Sequence, residues 1–245
     1  MRRVSSDRAM DSSDAIGFGR FEAITFDCYG TLIDWETGLT EAFRPVFRAR
    51  GAAFDADAVL ERFAVHEAAV EAGPYRRYRD VLATALRGVS TDFGLEPTAD
   101  EIETFAGSVG DWPAFPDTAA ALASLGGRFR LGIITNCDDD LFDASRPKLG
   151  VPFEWVITAQ QVGAYKPDKR NFETAFARIG LHRERILHVA QSLFHDHAPA
   201  QRLGMTSVWI DRRADRAGSG ATPPSEATPD ATFPDMASFA SAATT

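Results

Sequence analysis

The sequence predicts an α/β fold, a doubly wound parallel sheet core with an inserted α-helical cap. Three observations carry that expectation. Short apolar runs without polar alternation recur along the chain, as strands covered on both faces require. Helix-period patterns separate them, the alternation that builds a parallel sheet from βαβ units. One long stretch, between Trp35 and Trp112, departs from that alternation and runs helix upon helix.

The elements follow in chain order. The opening MRRVSSDRAMDSSDAIG has an arginine pair but no apolar stretch behind it, so it reads as no secretion signal. Residues 1–20 are expected to form a disordered leader. The first strand is Ala23–Phe26, and residues 35–112 then form the helical cap, broken at Gly51, at Gly73-Pro74 and across 94–97. The core domain, 21–34 and 113–245, resumes with strands at 131–134, Trp155–Thr158, Ile186–Ala190 and 206–210. Helices are expected over 139–148, 168–179 and 195–203. Beyond Arg212 the chain is rich in Ala, Gly, Ser, Thr and Pro and reads as mostly loop, with "ATFPDMASFASAA" offering a last strand and short helix. No internal repeat is visible.

Length and charge limit the function classes. A chain of 245 residues that is 44% hydrophobic can bury a sizeable core. A formal net charge of −9 and a pI near 5.1 argue against a nucleic-acid partner, because phosphate binding needs a concentrated basic surface. Arg76, Arg77 and Arg79 read as a solvated helix face. No run approaches the roughly 18 apolar residues of a membrane span. Cys28 and Cys137, the only cysteines, are too few for a disulfide scaffold. They read as packed thiols in a reducing, cytoplasmic setting.

Ligands of a doubly wound sheet sit outside the carboxyl ends of its strands. Four polar groups from separate stretches fall there: Asp27 after the first strand, Thr135-Asn136 ending "LGIIT", Lys166 in "GAYKPDKR" after "WVIT", and "QSLFHD" after "ILHVA". Each alone has a plain structural explanation as turn, cap or loop. Their convergence on one edge is what points to a site. Asp138, Asp139 and Asp140 read instead as carboxylates favouring a helix N-terminus.

These residues carry a resemblance. "DCYGTLID", "ITN", "YKPD" and "HVAQSLFHD" resemble the four ordered motifs of the haloacid dehalogenase-like superfamily, and type II (S)-2-haloacid dehalogenases most closely. The resemblance implies a Rossmann-like core, a helical cap and Asp27 as nucleophile. It runs from about Phe21 to Asp211, with the cap matched by placement more than by residues.

Most of that superfamily are magnesium-dependent phosphatases, with a second aspartate two places after the nucleophile as general acid. This chain has Tyr29 there, and a tyrosine of ordinary pKa about 10 is a poor acid at neutral pH. Where such phosphatases carry a further magnesium-binding aspartate, this chain has Ser192. Both absences suit halide displacement. Halide leaves as a stable anion needing no proton, whereas phosphoryl transfer gains from metal and acid.

The resemblance implies attack by Asp27 on the α-carbon of a 2-haloacid, release of halide, and hydrolysis of the aspartyl ester to a 2-hydroxy acid with inversion. Lys166 would orient Asp27 and keep it ionised. Thr31, Thr135 and Asn136 would hold the substrate carboxylate or Asp27, Tyr29 would line the substrate site, and Asp196 would orient Lys166 or the hydrolytic water. No metal and no cofactor are expected. A homodimer is compatible with the sequence.

The match departs in places. Relatives of this type commonly have a tyrosine where this chain has Phe172, and Ser-Ser-Asn where it has Gln191-Ser192-Leu193. His195 and His197 flank Asp196 and are candidates to position water. For the halide, the family uses a cap arginine. Arg44 and Arg62 are candidates, as are the residues of "PYRRYRDVL". So is His66, which interrupts the stripe Val59, Phe63, Val70 at helical spacing and reads either as a core histidine or as one facing the site. Two rival functions stand beside dehalogenation: a magnesium-dependent phosphatase of the same fold, and a non-catalytic relative that binds small acids.

Overall fold

A computed structural model describes residues 16–213 and 220–245. Six parallel strands form one sheet: β1 (Ala23–Phe26), β2 (Arg130–Thr135), β3 (Trp155–Thr158), β4 (Ile186–Ala190), β5 (Ser207–Ile210) and β6 (Ala231–Phe233). Their order is β3-β2-β1-β4-β5-β6. The order reverses at β1, so the crevice outside the ends of β1, β2 and β4 lies at the topological switch point, where open α/β sheets bind ligands.

The register sets which residues meet. Thr25 pairs with Gly132 on one side and His188 on the other, and Phe26 with Ile133 and Val189. Successive side chains alternate between faces. Ala23, Ile134 and Ile186 join one apolar layer with Phe172, Ala175 and Ile179 of helix α8 (Arg170–Ile179). Ile24, Phe26, Ile133 and Val189 join the other, which is continuous with the helical insertion. Every residue of β1 and β4 is buried, which accounts for their unbroken apolar character.

Between β1 and β2 lie α1 (Trp35–Arg48), α2 (Ala56–Glu71), α3 (Tyr78–Asp92), α4 (Ala99–Gly107) and α5 (Thr118–Gly126). Side chains fix their starts: Asp34 accepts from Thr37 N–H, Asp55 from Asp57 and Ala58 N–H, and Thr98 and Glu101 form a reciprocal capping box. Phe43 packs edge-on against Phe63 and tilted against Phe105 within this bundle, with ring centroids 6.2 and 4.5 Å apart. Truncating Phe63 there would cost about 3–5 kcal/mol.

After β2 come α6 (Asp139–Ser145), α7 (Ala159–Val162), α8 (Arg170–Ile179), α9 (Ala198–Arg202) and α10 (Met236–Thr244). The C-terminal segment thus does form a strand and helix, β6 and α10. Residues 16–20, expected in the leader, pack instead on the core: Ile16 and Phe18 are buried, and Phe18 lies edge-on against Phe239 of α10 at 5.9 Å. The rest of that expected segment, residues 1–15, lies outside the described residues. No described helix is long and apolar enough to cross a membrane.

Candidate active site

Asp27 directly follows β1, and its N–H still donates to Val189 O of β4. Its side chain is fixed at both oxygens. Lys166 Nζ donates to Oδ1 at 2.8 Å, and Thr31 Oγ1 donates to Oδ2 at 2.7 Å. Thr31 in turn accepts from Gln191 N–H at 2.9 Å, joining the β1 and β4 loops. The turn between Asp27 and Thr31 needs Gly30, which has φ +96° and where a Cβ would approach Trp35 Nε1 to 3.1 Å and Gln191 Oε1 to 3.3 Å.

Lys166 is buried with all three ammonium protons committed, to Asp27, to Ile134 O at 2.9 Å and to Asp196 Oδ1 at 2.7 Å. Asn136 holds its backbone, accepting from Lys166 N–H at 2.6 Å and donating to Lys166 O at 3.0 Å. His188, pointing from β4 toward α8, bonds Asp196 Oδ1 through Nε2 at 2.9 Å and Thr25 through Nδ1 at 3.0 Å. Phe172 packs edge-on against the same ring. The structure therefore brings Asp27, Thr31, Asn136, Lys166 and Asp196 into one network.

Burial works against the Lys166 ammonium, but the charges of Asp196 and Asp27 outweigh it and hold the lysine above its ordinary range. Burial also opposes Asp196, yet Lys166 and His188 keep it well below the usual carboxylate range. Asp27 moves the other way. Its burial raises it, Lys166 pulls it back, and the neighbouring charge of Asp196 raises it further. Each carboxylate has a second partner beside the shared cation, Thr31 on Asp27 and His188 on Asp196.

These groups bound a cavity of about 30 Å³ of water-accessible space, room for about two waters at the 10–15 Å³ each needs. Thr135 lines it with a buried hydroxyl that has no hydrogen-bond partner. Tyr29 also lines it, but its hydroxyl turns into the core, 3.1 Å from Ser145 Oγ, and burial raises its pKa well above the ordinary value. It contributes a wall and no acid.

The opposite wall comes from the cap, as expected, but apart from Tyr78 of "PYRRYRDVL" through residues that the sequence did not single out. Trp35, Glu67, Glu71 and Tyr78 supply it. Tyr78 donates to Glu67 Oε1 at 2.6 Å. Burial raises Glu67 to about 7. Burial and then the charge of Glu67 raise Glu71 well above its ordinary value. Among the described residues no Lys or Arg nitrogen lies within ion-pair distance of either glutamate. The signal lay in the spacing: Val59, Phe63, Glu67 and Glu71 recur every four residues.

The candidate halide residues stand elsewhere. His66 Nε2 and Arg62 Nε both bond Asp92 Oδ2 at 2.8 Å, on the outer side of α2 and α3. The His66 ring lies against Gly88, where a Cβ would come within 2.3 Å of Nδ1. Arg44 pairs with Glu41 in solvent. Arg77 and Arg79 do not form a merely solvated face: both bond Asp140 at 2.9 Å, and Arg79 N–H donates to the buried Asp138, tying the cap to the β2 loop. None of these arginines, nor His66, lines the cavity.

The two candidate water-positioning histidines separate. His197 is locked in the core, with Nδ1 2.9 Å from Ser207 Oγ and Nε2 donating to Ala190 O at 3.0 Å. His195 lines the cavity. Both sit on a single π-helical turn, Leu193–His197, started by Ser192, which accepts from His195 N–H at 2.9 Å. A magnesium ion does not fit this donor set. The Lys166 ammonium fills the space between Asp27 and Asp196, and position 192 offers a serine hydroxyl engaged with His195.

Comparison with known proteins agrees with this architecture. The family model for haloacid dehalogenase-like hydrolases matches residues 21–203. An (S)-2-haloacid dehalogenase of Pseudomonas putida is 26% identical over 195 residues, spanning 78% of this chain and 85% of that protein. Haloacetate dehalogenase H-2 of Moraxella sp. (strain B) is 27% identical over 198 residues, spanning 79% and 87%. The solved L-2-haloacid dehalogenase from Xanthobacter autotrophicus has the same fold, with a TM-score of 0.76 at 20% identity over 90% of this chain and 97% of that one.

Proposed function

The chain belongs to the haloacid dehalogenase-like hydrolases, and from that premise we propose that it hydrolyses short 2-haloacids to 2-hydroxy acids through an ester on Asp27, without a metal ion. The observation that carries this reading is the grip on Asp27, 2.8 Å from Lys166 Nζ and 2.7 Å from Thr31 Oγ1. An ammonium and a hydroxyl orient the carboxylate and favour its charged form, leaving a lone pair on each oxygen for attack. In the first step Asp27 forms a C–O bond at the α-carbon as the carbon–halogen bond breaks, and halide leaves with the electron pair. In the second, water adds to the Asp27 carbonyl carbon and the hydroxy acid departs.

Other features support the same reading. Tyr29 and Ser192 replace the acid and metal-binding carboxylate of phosphoryl transfer, and neither is needed when the leaving group is halide. Thr135 keeps a buried hydroxyl free to donate to a substrate carboxylate. The small cavity favours haloacetates over longer acids.

The test is a single turnover in heavy-oxygen water, with enzyme in excess over chloroacetate. The glycolate should be largely unlabelled and the peptide containing Asp27 should gain the label, because the first oxygen transferred comes from Asp27 itself. Label in the product and none in the protein would replace the ester with direct attack of water.

A further inference from the structure

Displacement at the α-carbon expels halide on the side away from Asp27, and across this cavity that side is the cap wall of Trp35, Glu67, Glu71 and Tyr78. None of the four is a cation. The Glu71 side chain lines the cavity and is only 7% exposed, and the groups around it distinguish its two oxygens. Asn136 is fixed by two bonds to the Lys166 backbone, which turns its second amide hydrogen toward Glu71 Oε2 at 3.4 Å. His195 Nε2 lies 3.7 Å from the same oxygen. Ser192 Oγ accepts from His195 N–H, so its own proton turns to Nδ1 and leaves the imidazole hydrogen on Nε2, facing Glu71. Oε2 is therefore the accepting oxygen. Oε1 has no hydrogen-bond partner among the described residues and is not sealed from water as Thr135 Oγ1 is.

We propose that Glu71 receives the departing halide as a neutral acid, its Oε1 hydroxyl donating a hydrogen bond to the halogen as the bond to carbon breaks. This deepens the dehalogenase reading above and rests on it. In the step an Asp27 oxygen forms its bond to the α-carbon, the electron pair of the carbon–halogen bond leaves with the halogen, and the Glu71 proton stays on Oε1. No proton is transferred, and the halide is free to leave once the donor exchanges it for water.

The surroundings favour the acid form. Glu67 stands one helical turn away on the same face of α2, and two buried carboxyls so placed do not both ionise cheaply. Burial and then the charge of Glu67 raise Glu71 well above its ordinary value, against a smaller pull from Lys166 and Asn136. Burial holds the His195 imidazole neutral, at about 4. An ionised Glu71 would repel the leaving anion, whereas a carboxylic acid kept neutral by its site can donate to a developing one. Such a donor also ranks the halogens: a smaller halide holds its charge closer to the donor and accepts the stronger bond, so the help is greater for chloride than for bromide.

The experiment is a single turnover with enzyme in excess, reading halide release from chloroacetate and from bromoacetate by wild type, Glu71→Met and Glu71→Gln. Loss of the donor in Glu71→Met should slow chloride release about 100-fold and bromide release about 10-fold. Glu71→Gln puts an uncharged amide N–H where the acid O–H stood and should lose only about 5-fold with either substrate. Three results would overturn the donor: wild-type rates in Glu71→Met, an equal loss of both halides in that variant, as a merely structural role predicts, or a loss in Glu71→Gln as large as in Glu71→Met, which would mean that the charge of Glu71 is used and not its proton. Should Glu71→Met fail to fold, Glu71→Ala is read by the same comparison of halides, and a 100-fold loss of chloride release in folded Glu71→Gln overturns the donor by itself. Absence of halide release from wild type would overturn the dehalogenase reading and the donor with it, whereas normal release by wild type with any of the three results removes the donor alone.

Discussion

On the core side of the cavity each charge meets its partner at hydrogen-bond distance: Asp27 and Asp196 share the Lys166 ammonium, and His188 and Thr31 take up further lone pairs. On the cap side two glutamates one helical turn apart face the same space with a tyrosine hydroxyl and a neutral imidazole. Two buried carboxyls without a cation cannot both be charged cheaply, so that wall holds protons where the core wall holds charges. A network that grips both oxygens of Asp27 suits a nucleophile that must point one way. A wall whose carboxyls keep their protons carries no such directed charge, and the difference predicts different penalties for altering each side.

The largest penalty belongs to Lys166→Ala. Removing the cation leaves Asp27 and Asp196 buried side by side without compensation, a situation worth about 3–5 kcal/mol, and a proton would settle on one of them. Halide release should fall by about 1,000-fold or more, measured on protein shown by circular dichroism to be folded. Near-normal release from the folded variant would remove Lys166 from the chemistry and dissolve the contrast between the walls.

The two walls also differed in legibility. Asp27 and Asn136 stand at strand ends, Asp196 in the turn after β4 and Lys166 in the loop beyond the short α7 that follows β3, so reading the strands places them on one edge of the sheet. His188 was hidden inside the apolar run "ILHVA", because its partner Thr25 is 163 residues away and only the register of β1 against β4 aligns them. The cap glutamates were missed for a different reason. Reading α2 as an apolar stripe through His66 and Val70 selects the neighbouring face, since a helix advances 100° per residue and a glutamate does not register as part of a buried stripe. Ser192 was legible as a missing metal ligand and not as a helix cap, a role that depends on the π-helical turn bringing His195 back over it.

Protons on the cap wall should show in stability. Glu67 titrates near 7 in the fold against an ordinary value of 4.5, so the folded state binds more protons in that interval. Its stabilising contribution is fully present below about pH 4.5 and is lost as pH rises through about 7. Glu67→Gln keeps an acceptor for Tyr78 but removes the titration. Melting at pH 5 and pH 8 should differ less for the variant than for wild type, by an amount on the order of 1–3 kcal/mol at most. An unchanged pH dependence would mean that the wall does not hold its proton at Glu67.

The smallest effect is expected where the sequence placed the halide pocket. Arg62 is half exposed and shares Asp92 with His66, so the pair behaves as a surface cluster joining α2 to α3. An exposed ion pair is worth about 0–1 kcal/mol, and nothing in its geometry couples it to a halide leaving Asp27. Arg62→Ala and His66→Ala should therefore release chloride and bromide at rates within about twofold of wild type and of each other, a change too small to report charge developing on the departing ion. His66→Ala should cost more in melting temperature than Arg62→Ala, because its ring also fills the space over Gly88. A halogen-selective loss in either variant would break the comparison from the cap side, since it would require α2 to turn its outer face inward during turnover and would give the departing halide a cationic partner on the cap wall, where Trp35, Glu67, Glu71 and Tyr78 supply none.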